Sequence, residues 1–392
     1  MHWTCRLAVV ALLTCPWLTA QDTDPEAAAR GRAHLDAGKE RLEAGDAAGA
    51  VRELDEAVRL APDLAEAWLC RGMARRSMGE NRGAIDDLDR AIELDPGSAL
   101  ARAHRGAARA AQGDPDGAIA DYDEAIRLDP ALMGAWYNRA MARMARGDLD
   151  GAIADLGETI RLAPGFGEAY NSRGVARKDK GDLDGALADL DQAVRIDPRS
   201  ALARANRGLV RQALGDPTGA VSDFDEAVRL RPAYVPAWLG RANARRGSGD
   251  PEGALEDYTR VLELAPQNVA ALCGRAAVRA GKGEIEGALA DAGEAIRLDP
   301  RSPACYHARG LALAAKGDIE GAIADFFQAI IIDTDFVDAY VGRAQALQAK
   351  GNLDAAIQDL EKALELAPAR WPERARVQAL LDSARAARDG GR

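Results

Sequence analysis

Aromatic side chains make up only 5% of this 392-residue chain. Alanine is abundant instead, which suits helices packed close together. Histidine is rarer still. Beyond the first twenty residues only His34, His104 and His307 occur, far apart, so no histidine-based metal or acid–base cluster is expected. Five cysteines are present (Cys5, Cys15, Cys70, Cys273 and Cys305), with no metal-ligand spacing among them. There is no Gly-x-Ser-x-Gly motif; Gly247-Ser248-Gly249 reads as a helix end. Gly281-Lys282-Gly283 lacks the upstream glycine and the following Ser or Thr of a phosphate-binding loop. No catalytic residues, metal or cofactor are therefore expected. Basic residues are outnumbered 62 to 51, a net charge of −11. That argues against nucleic acid as a partner.

What is present is a beat. Proline stands at Pro62, Pro96, Pro130, Pro164, Pro198, Pro232, Pro266 and Pro300, gives way to Thr334, and returns at Pro368. The spacing is thirty-four residues throughout. A fixed period of this size means a repeat array. Counting from Gly31 defines ten repeats: 31–64, 65–98, 99–132, 133–166, 167–200, 201–234, 235–268, 269–302, 303–336 and 337–370.

Each position within a repeat is a slot with its own physics. The fifteenth slot is Gly in all ten repeats, from Gly45 to Gly351. Gly takes the left-handed conformation that ends a helix without steric cost. An Asp usually follows (Asp46, Asp114, Asp148, Asp182, Asp216, Asp250, Asp318), and caps the next helix. Pro115, Pro217 and Pro251 then occupy a first helical position, where no N–H is needed. The twentieth slot is always Ala, opposite a Gly or Ala of the preceding helix, so the two helices can lie close. The periodic Pro stops the second helix.

A bulky residue fills the fourth slot in seven repeats: Trp68, Trp136, Tyr170, Trp238, Leu272, Tyr306 and Tyr340. Together with Ala169–Gly174 (AYNSRG), Gly181–Pro198 (GDLDGALADLDQAVRIDP) and their echoes, this pattern resembles the tetratricopeptide repeat family over residues 31–370. The resemblance implies an all-α fold: a right-handed α-solenoid, or superhelix, of ten helix-turn-helix units plus a C-terminal capping helix. His34, Arg102 and Arg204 in the bulky slot, Thr334 for proline and Ala292 for the large residue of the second helix depart from the pattern. Weaker packing is expected there.

The ends lie outside the period. Arg6, the apolar run Leu7–Leu13 and Leu18-Thr19-Ala20 read as a signal peptide over 1–20, too short to span a membrane as a helix, which takes ~20 apolar residues. The expected location is therefore exported, periplasmic or extracellular. Cys15, after Leu12-Leu13-Thr14, has a weak likeness to a lipoprotein box, so membrane attachment is expected only if Cys15 is lipidated. Residues 21–30 read as a polar lead-in. Residues 371–388 read as a helix capping the last apolar face, and 389–392 as a disordered tail.

Two charged columns recur. The seventh slot is Arg in repeats two to ten, and the twenty-third is acidic in all ten. They read as ion-pair staples between helices: if each acid faces the Arg of the next repeat, Asp359 faces Arg374 or Arg376, and if the pairs lie within repeats, Glu53 is left alone. The three cysteines of the array read as small buried or groove-lining thiols. Helix axes pack ~8–10 Å apart, and a disulfide needs Cα atoms within about 7 Å.

In the family the resemblance points to, first helices line the concave surface, and such repeats assemble or localise other proteins. Helical periodicity then puts the second, fifth, sixth, ninth, twelfth and thirteenth slots on that surface. There the sequence offers Leu69, Met73, Tyr137, Asn138, Met141, Met144, Asn171, Val175, Asn206, Leu209, Leu239, Asn243 and Leu311. Asn can hydrogen-bond a peptide backbone, and Met adapts to varied side chains. The expectation is a non-catalytic scaffold binding a protein or peptide in this groove. An architectural envelope lipoprotein or an accessory subunit of an enzyme complex is the alternative.

Overall fold

A computed structural model describes residues 25–368, 371 and 373–390, and all regular structure among them is α-helical. The residues group into two compact bodies divided between Leu162 and Ala163. The unbroken period leads one to expect a single array. Each repeat, however, touches only its neighbours, so compactness is a local property.

The N-terminal body holds four helix pairs. They are α1 (Pro25–Glu43) with α2 (Ala47–Leu60), α3 (Ala65–Ser77) with α4 (Asn81–Leu94), α5 (Ala99–Ala111) with α6 (Pro115–Leu128), and α7 (Met133–Ala145) with α8 (Leu149–Leu162). The C-terminal body holds six pairs and a last helix. The first three pairs are α9 (Gly167–Asp179) with α10 (Leu183–Ile196), α11 (Ala201–Ala213) with α12 (Pro217–Leu230), and α13 (Val235–Gly247) with α14 (Pro251–Leu264). The next three are α15 (Val269–Gly281) with α16 (Ile285–Leu298), α17 (Pro303–Lys316) with α18 (Ile319–Ile332), and α19 (Val337–Ala349) with α20 (Leu353–Leu366). Helix α21 (Arg374–Gly390) follows.

Both ends differ from expectation. Helix α1 begins at Pro25, so the second half of the lead-in is helical. Helix α21 starts after Trp371 and takes in Asp389 and Gly390, which read as tail. Val377, Leu381 and Ala384 of α21 are buried against α20, an apolar stripe that covers the last repeat. The signal-peptide reading at 1–20 lies outside the described residues.

The slot physics holds. All ten fifteenth-slot glycines have φ between +78° and +88°, and no other described residue has a positive φ. Asp216 accepts from the Gly219 N–H at 2.8 Å, and Asp148 from that of Gly151 at 3.0 Å. Every twentieth-slot alanine is fully buried. The facing glycine is needed: a Cβ on Gly174 would stand 2.8 Å from Leu190 Cγ and 3.2 Å from the Ala186 carbonyl oxygen.

The fourth slot has a second task. Its side chain donates to the carbonyl of the periodic proline six residues earlier: Trp68 to Pro62 at 3.0 Å, Trp238 to Pro232 at 2.9 Å and Tyr306 to Pro300 at 3.2 Å. The same bond is kept at Arg102, Arg204 and Thr334, where the pattern is broken. The guanidinium of Arg102 reaches the Pro96 carbonyl at 2.6 Å, and Arg204 reaches Pro198 at 2.9 Å. Thr334 supplies its own carbonyl to Tyr340 at 3.0 Å. Any side chain long enough to carry an N–H or O–H back to the turn satisfies the slot.

Candidate functional site

The charged columns form a ladder, and of the two pairings open from sequence the twenty-third-slot acids take the one within repeats. Arg207 donates through Nε to Asp223 of its own repeat at 2.9 Å, and through Nη1 to Asp191 of the preceding repeat at 2.8 Å. Arg211, one turn further along α11, donates to the same Asp223 at 2.8 Å. The twenty-third-slot acid thus joins helices within a repeat. The residue two positions later makes the link between repeats. The same geometry recurs at Arg71 with Asp87 and Asp55, at Arg139 with Asp155 and Asp123, and at Arg241 with Asp257 and Asp225. Asp359 pairs with Arg343 at 2.7 Å rather than with the capping helix. Arg374 instead donates to the carbonyls of Leu364 and Ala367, which cap α20.

Each such arginine lies over the aromatic residue one turn earlier where there is one. The guanidinium carbon of Arg241 is 4.6 Å from the Trp238 ring centre, and that of Arg71 is 4.7 Å from the Trp68 ring. Arg71, Arg139 and Arg241 are each held by two carboxylates and a ring. They are scaffold, not an anion-binding row.

The predicted groove residues sit on the first helices. In the N-terminal body Leu69, Met73, Tyr137, Asn138, Met141 and Met144 are half-buried. Leu69 lines a depression with Leu64, Glu66 and Ser98. In the C-terminal body Asn171, Asn206, Leu239 and Asn243 are half-buried, while Leu209 is 39% exposed. Asn206 Nδ2 donates to Asn171 Oδ1 at 2.8 Å, tying α11 to α9. Asn243 has a different role. Its Oδ1 accepts from the hydroxyl of the buried Tyr258 at 2.6 Å, so it anchors a core side chain.

Sequence reasoning passed over Leu100 and Leu202, which are 42% and 44% exposed. Both occupy the second slot, one of those predicted to face the groove. Leu202 shares a depression with Asn171 and Ile196.

His104, in the sixth slot of the third repeat, is pushed from 6.5 down to about 4 by burial, with Arg76 adding to the shift. Folding therefore favours the neutral ring. The stability this contributes is present above pH ~6.5 and is lost as pH falls toward 4. Between pH 7 and pH 4 the N-terminal body is expected to lose about 1–3 kcal/mol more than its His104→Gln variant. Urea titrations at the two pH values measure the difference, and equal losses would dismiss the effect.

Among the described residues, no helix is long and apolar enough to cross a membrane. Among the same residues, no group of three or more His, Cys, Asp or Glu is placed to hold a metal ion.

A tetratricopeptide repeat profile matches residues 71–132, 137–201, 205–269 and 273–337, and a second one matches 337–369. Among solved structures, a tetratricopeptide repeat protein from Parabacteroides merdae ATCC 43184 is similar at 20% identity and a TM-score of 0.55, over 64% of this chain and 98% of that one. MamA is similar at 29% identity and a TM-score of 0.39, over 42% of this chain and 96% of that one. No curated protein matches. Repeated helix pairs, the glycine turns and the matched profiles agree: this chain belongs to the tetratricopeptide repeat family.

Proposed function

We propose that this protein is a non-catalytic scaffold that binds an uncharged, extended protein segment on the first-helix face of its C-terminal body. One observation carries the reading. Helix α11 presents Leu202, Asn206, Leu209, Gln212 and Ala213 at helical spacing, with no formal charge. Leu202 and Leu209 are 44% and 39% exposed. They lie two turns apart, about 10 Å along the axis, with the Asn206–Asn171 pair between. Two apolar anchors flanking amide groups suit a peptide with alternating apolar side chains and free backbone N–H and C=O groups. A random peptide display library selected on the full chain supplies the probe. Leu202→Asp with Leu209→Asp is expected to weaken the selected peptides at least about tenfold by calorimetry. Unchanged affinity in a folded variant would move the site elsewhere, with Tyr137→Ala plus Met141→Ala testing the N-terminal body next.

Export belongs to the same reading. It rests on Arg6, Leu7–Leu13 and Leu18-Thr19-Ala20. Intact mass of the protein from its producing cells distinguishes cleavage after Ala20 from lipid on Cys15, and an uncut chain in the cytoplasm would refute export.

A further inference from the structure

Three departures from the period meet at one place in the C-terminal body. The twenty-fourth slot holds Ala292, where the other nine repeats hold Leu, Tyr or Phe. The third slot holds Cys305, where the other nine hold Ala. The fifth slot of the eighth repeat holds Cys273. At position 292 only a methyl stands where the other nine repeats place a large side chain. Helix α17 seats on α15 more closely than any other neighbouring first helices of this body. The small cluster Cys273, Ala276, Ala292, Ala295, Cys305 and Ala308 fills the joint.

Both thiols are free, as expected, and the approach brings the two sulfurs to 3.3 Å. A disulfide bond is about 2 Å long, so closure needs side-chain rotation and roughly 1 Å of further approach. The two thiols are also unlike. Cys305 is the third residue of α17, behind Ser302. The Cys273 S–H and Ser302 pull its pKa below the ordinary thiol value. Cys305 and burial push Cys273 up. A thiolate near a helix N-terminus, beside a protonated thiol, is the arrangement that starts thiol–disulfide exchange.

We propose that Cys273 and Cys305 form an oxidisable dithiol site, converted to an intramolecular disulfide by a small disulfide of the glutathione class. The Cys305 thiolate attacks one sulfur of the oxidant, whose S–S bond breaks and releases one thiolate. Cys273 then loses its proton and attacks the Cys305 sulfur of the mixed disulfide, releasing the second. Two protein thiols become one disulfide, and the oxidant leaves as two thiols. Cys305 is fully buried and Cys273 is 7% exposed. Exchange therefore proceeds when α17 lifts from α15, and the finished bond is shielded from reductant.

The test uses the full reduced chain equilibrated with oxidised and reduced glutathione, then denatured, alkylated and mapped by mass. The expected result is loss of two alkylation sites, recovery of a Cys273–Cys305 linked peptide, and full alkylation of Cys70. Cys305→Ser abolishes the link. Ala292→Leu keeps both cysteines but restores the bulk that holds neighbouring first helices apart, and is expected to cut the yield of the link about tenfold. Full alkylation of both cysteines at the most oxidising ratio overturns the proposal. So does a mixed disulfide that never closes, or wild-type yield in a folded Ala292→Leu variant.

Discussion

Asp223→Ala is expected to destabilise the C-terminal body by about 3–5 kcal/mol. Asp223 is 2% exposed and receives both Arg207 and Arg211. The Arg207 side chain is itself only 14% exposed. Removing the carboxylate leaves the Arg211 guanidinium with only the Gly219 carbonyl and Arg207 with only the half-exposed Asp191. The loss is that of uncompensated buried charge, not the net worth of one salt bridge. The partner experiment follows. Arg207→Met and Arg211→Met with Asp223→Leu remove all three charges and should recover most of the loss, because the desolvation cost goes with them. Arg207→Met with Asp189→Leu should be simply additive, since Asp189 serves Arg173 and Arg177. Asp191 is 41% exposed, so its bond to Arg207 contributes about 1 kcal/mol or less. Equilibrium urea titration reads all of these, and a loss under ~1 kcal/mol for Asp223→Ala would dismiss the ladder as scaffold.

Phe224→Ala should cost as much, about 3–5 kcal/mol, by a different route. The ring is fully buried on α12, between α11 and α13. Two glycines make room for it. A Cβ on Gly208 would come within 2.9 Å of the ring, and one on Gly240 within 2.5 Å. The first glycine belongs to the same repeat and the second to the next, so one side chain fastens both joints. Truncation leaves a cavity that rigid helix pairs cannot collapse. The reverse change, Gly240→Ala, overpacks the same joint and should cost about 1–3 kcal/mol. Combining it with Phe224→Leu should restore part of the loss, because the smaller knob yields space to the added methyl. Independent, additive effects in that pair would mean the ring and the glycine are not in register.

That joint was partly legible beforehand. Phe224, Tyr258 and Phe326 are each followed, sixteen residues later, by Gly240, Gly274 and Gly342. Recurrence exposes such pairs because each slot repeats its environment. The glycine turns, the buried alanines and the Asp caps were legible for the same reason. The ladder was legible only in its members. Two acidic columns, the twenty-third and twenty-fifth slots, share the period, and periodicity cannot say which one faces which arginine. The three array cysteines are free and buried, as read, but the closeness of Cys273 and Cys305 was not foreseen, because a general helix spacing does not carry the local approach of α17 to α15. On the groove, sequence named a helical face without separating Asn243, spent on Tyr258, from Leu202, left open to solvent.

The ladder also sets how solution conditions act along the C-terminal body. Acid bridges from one repeat to the next are present at Asp191–Arg207 and Asp225–Arg241. The next position offers only the Thr259 hydroxyl to Arg275. After that come Gly293, then Phe327, under the Arg343 guanidinium. The coupling between successive repeats therefore changes character along the chain, from charge to apolar contact. Dissolved salt screens the first kind and strengthens the second. A rise in ionic strength thus shifts cohesion within this body toward its C-terminal repeats, and a fall shifts it back.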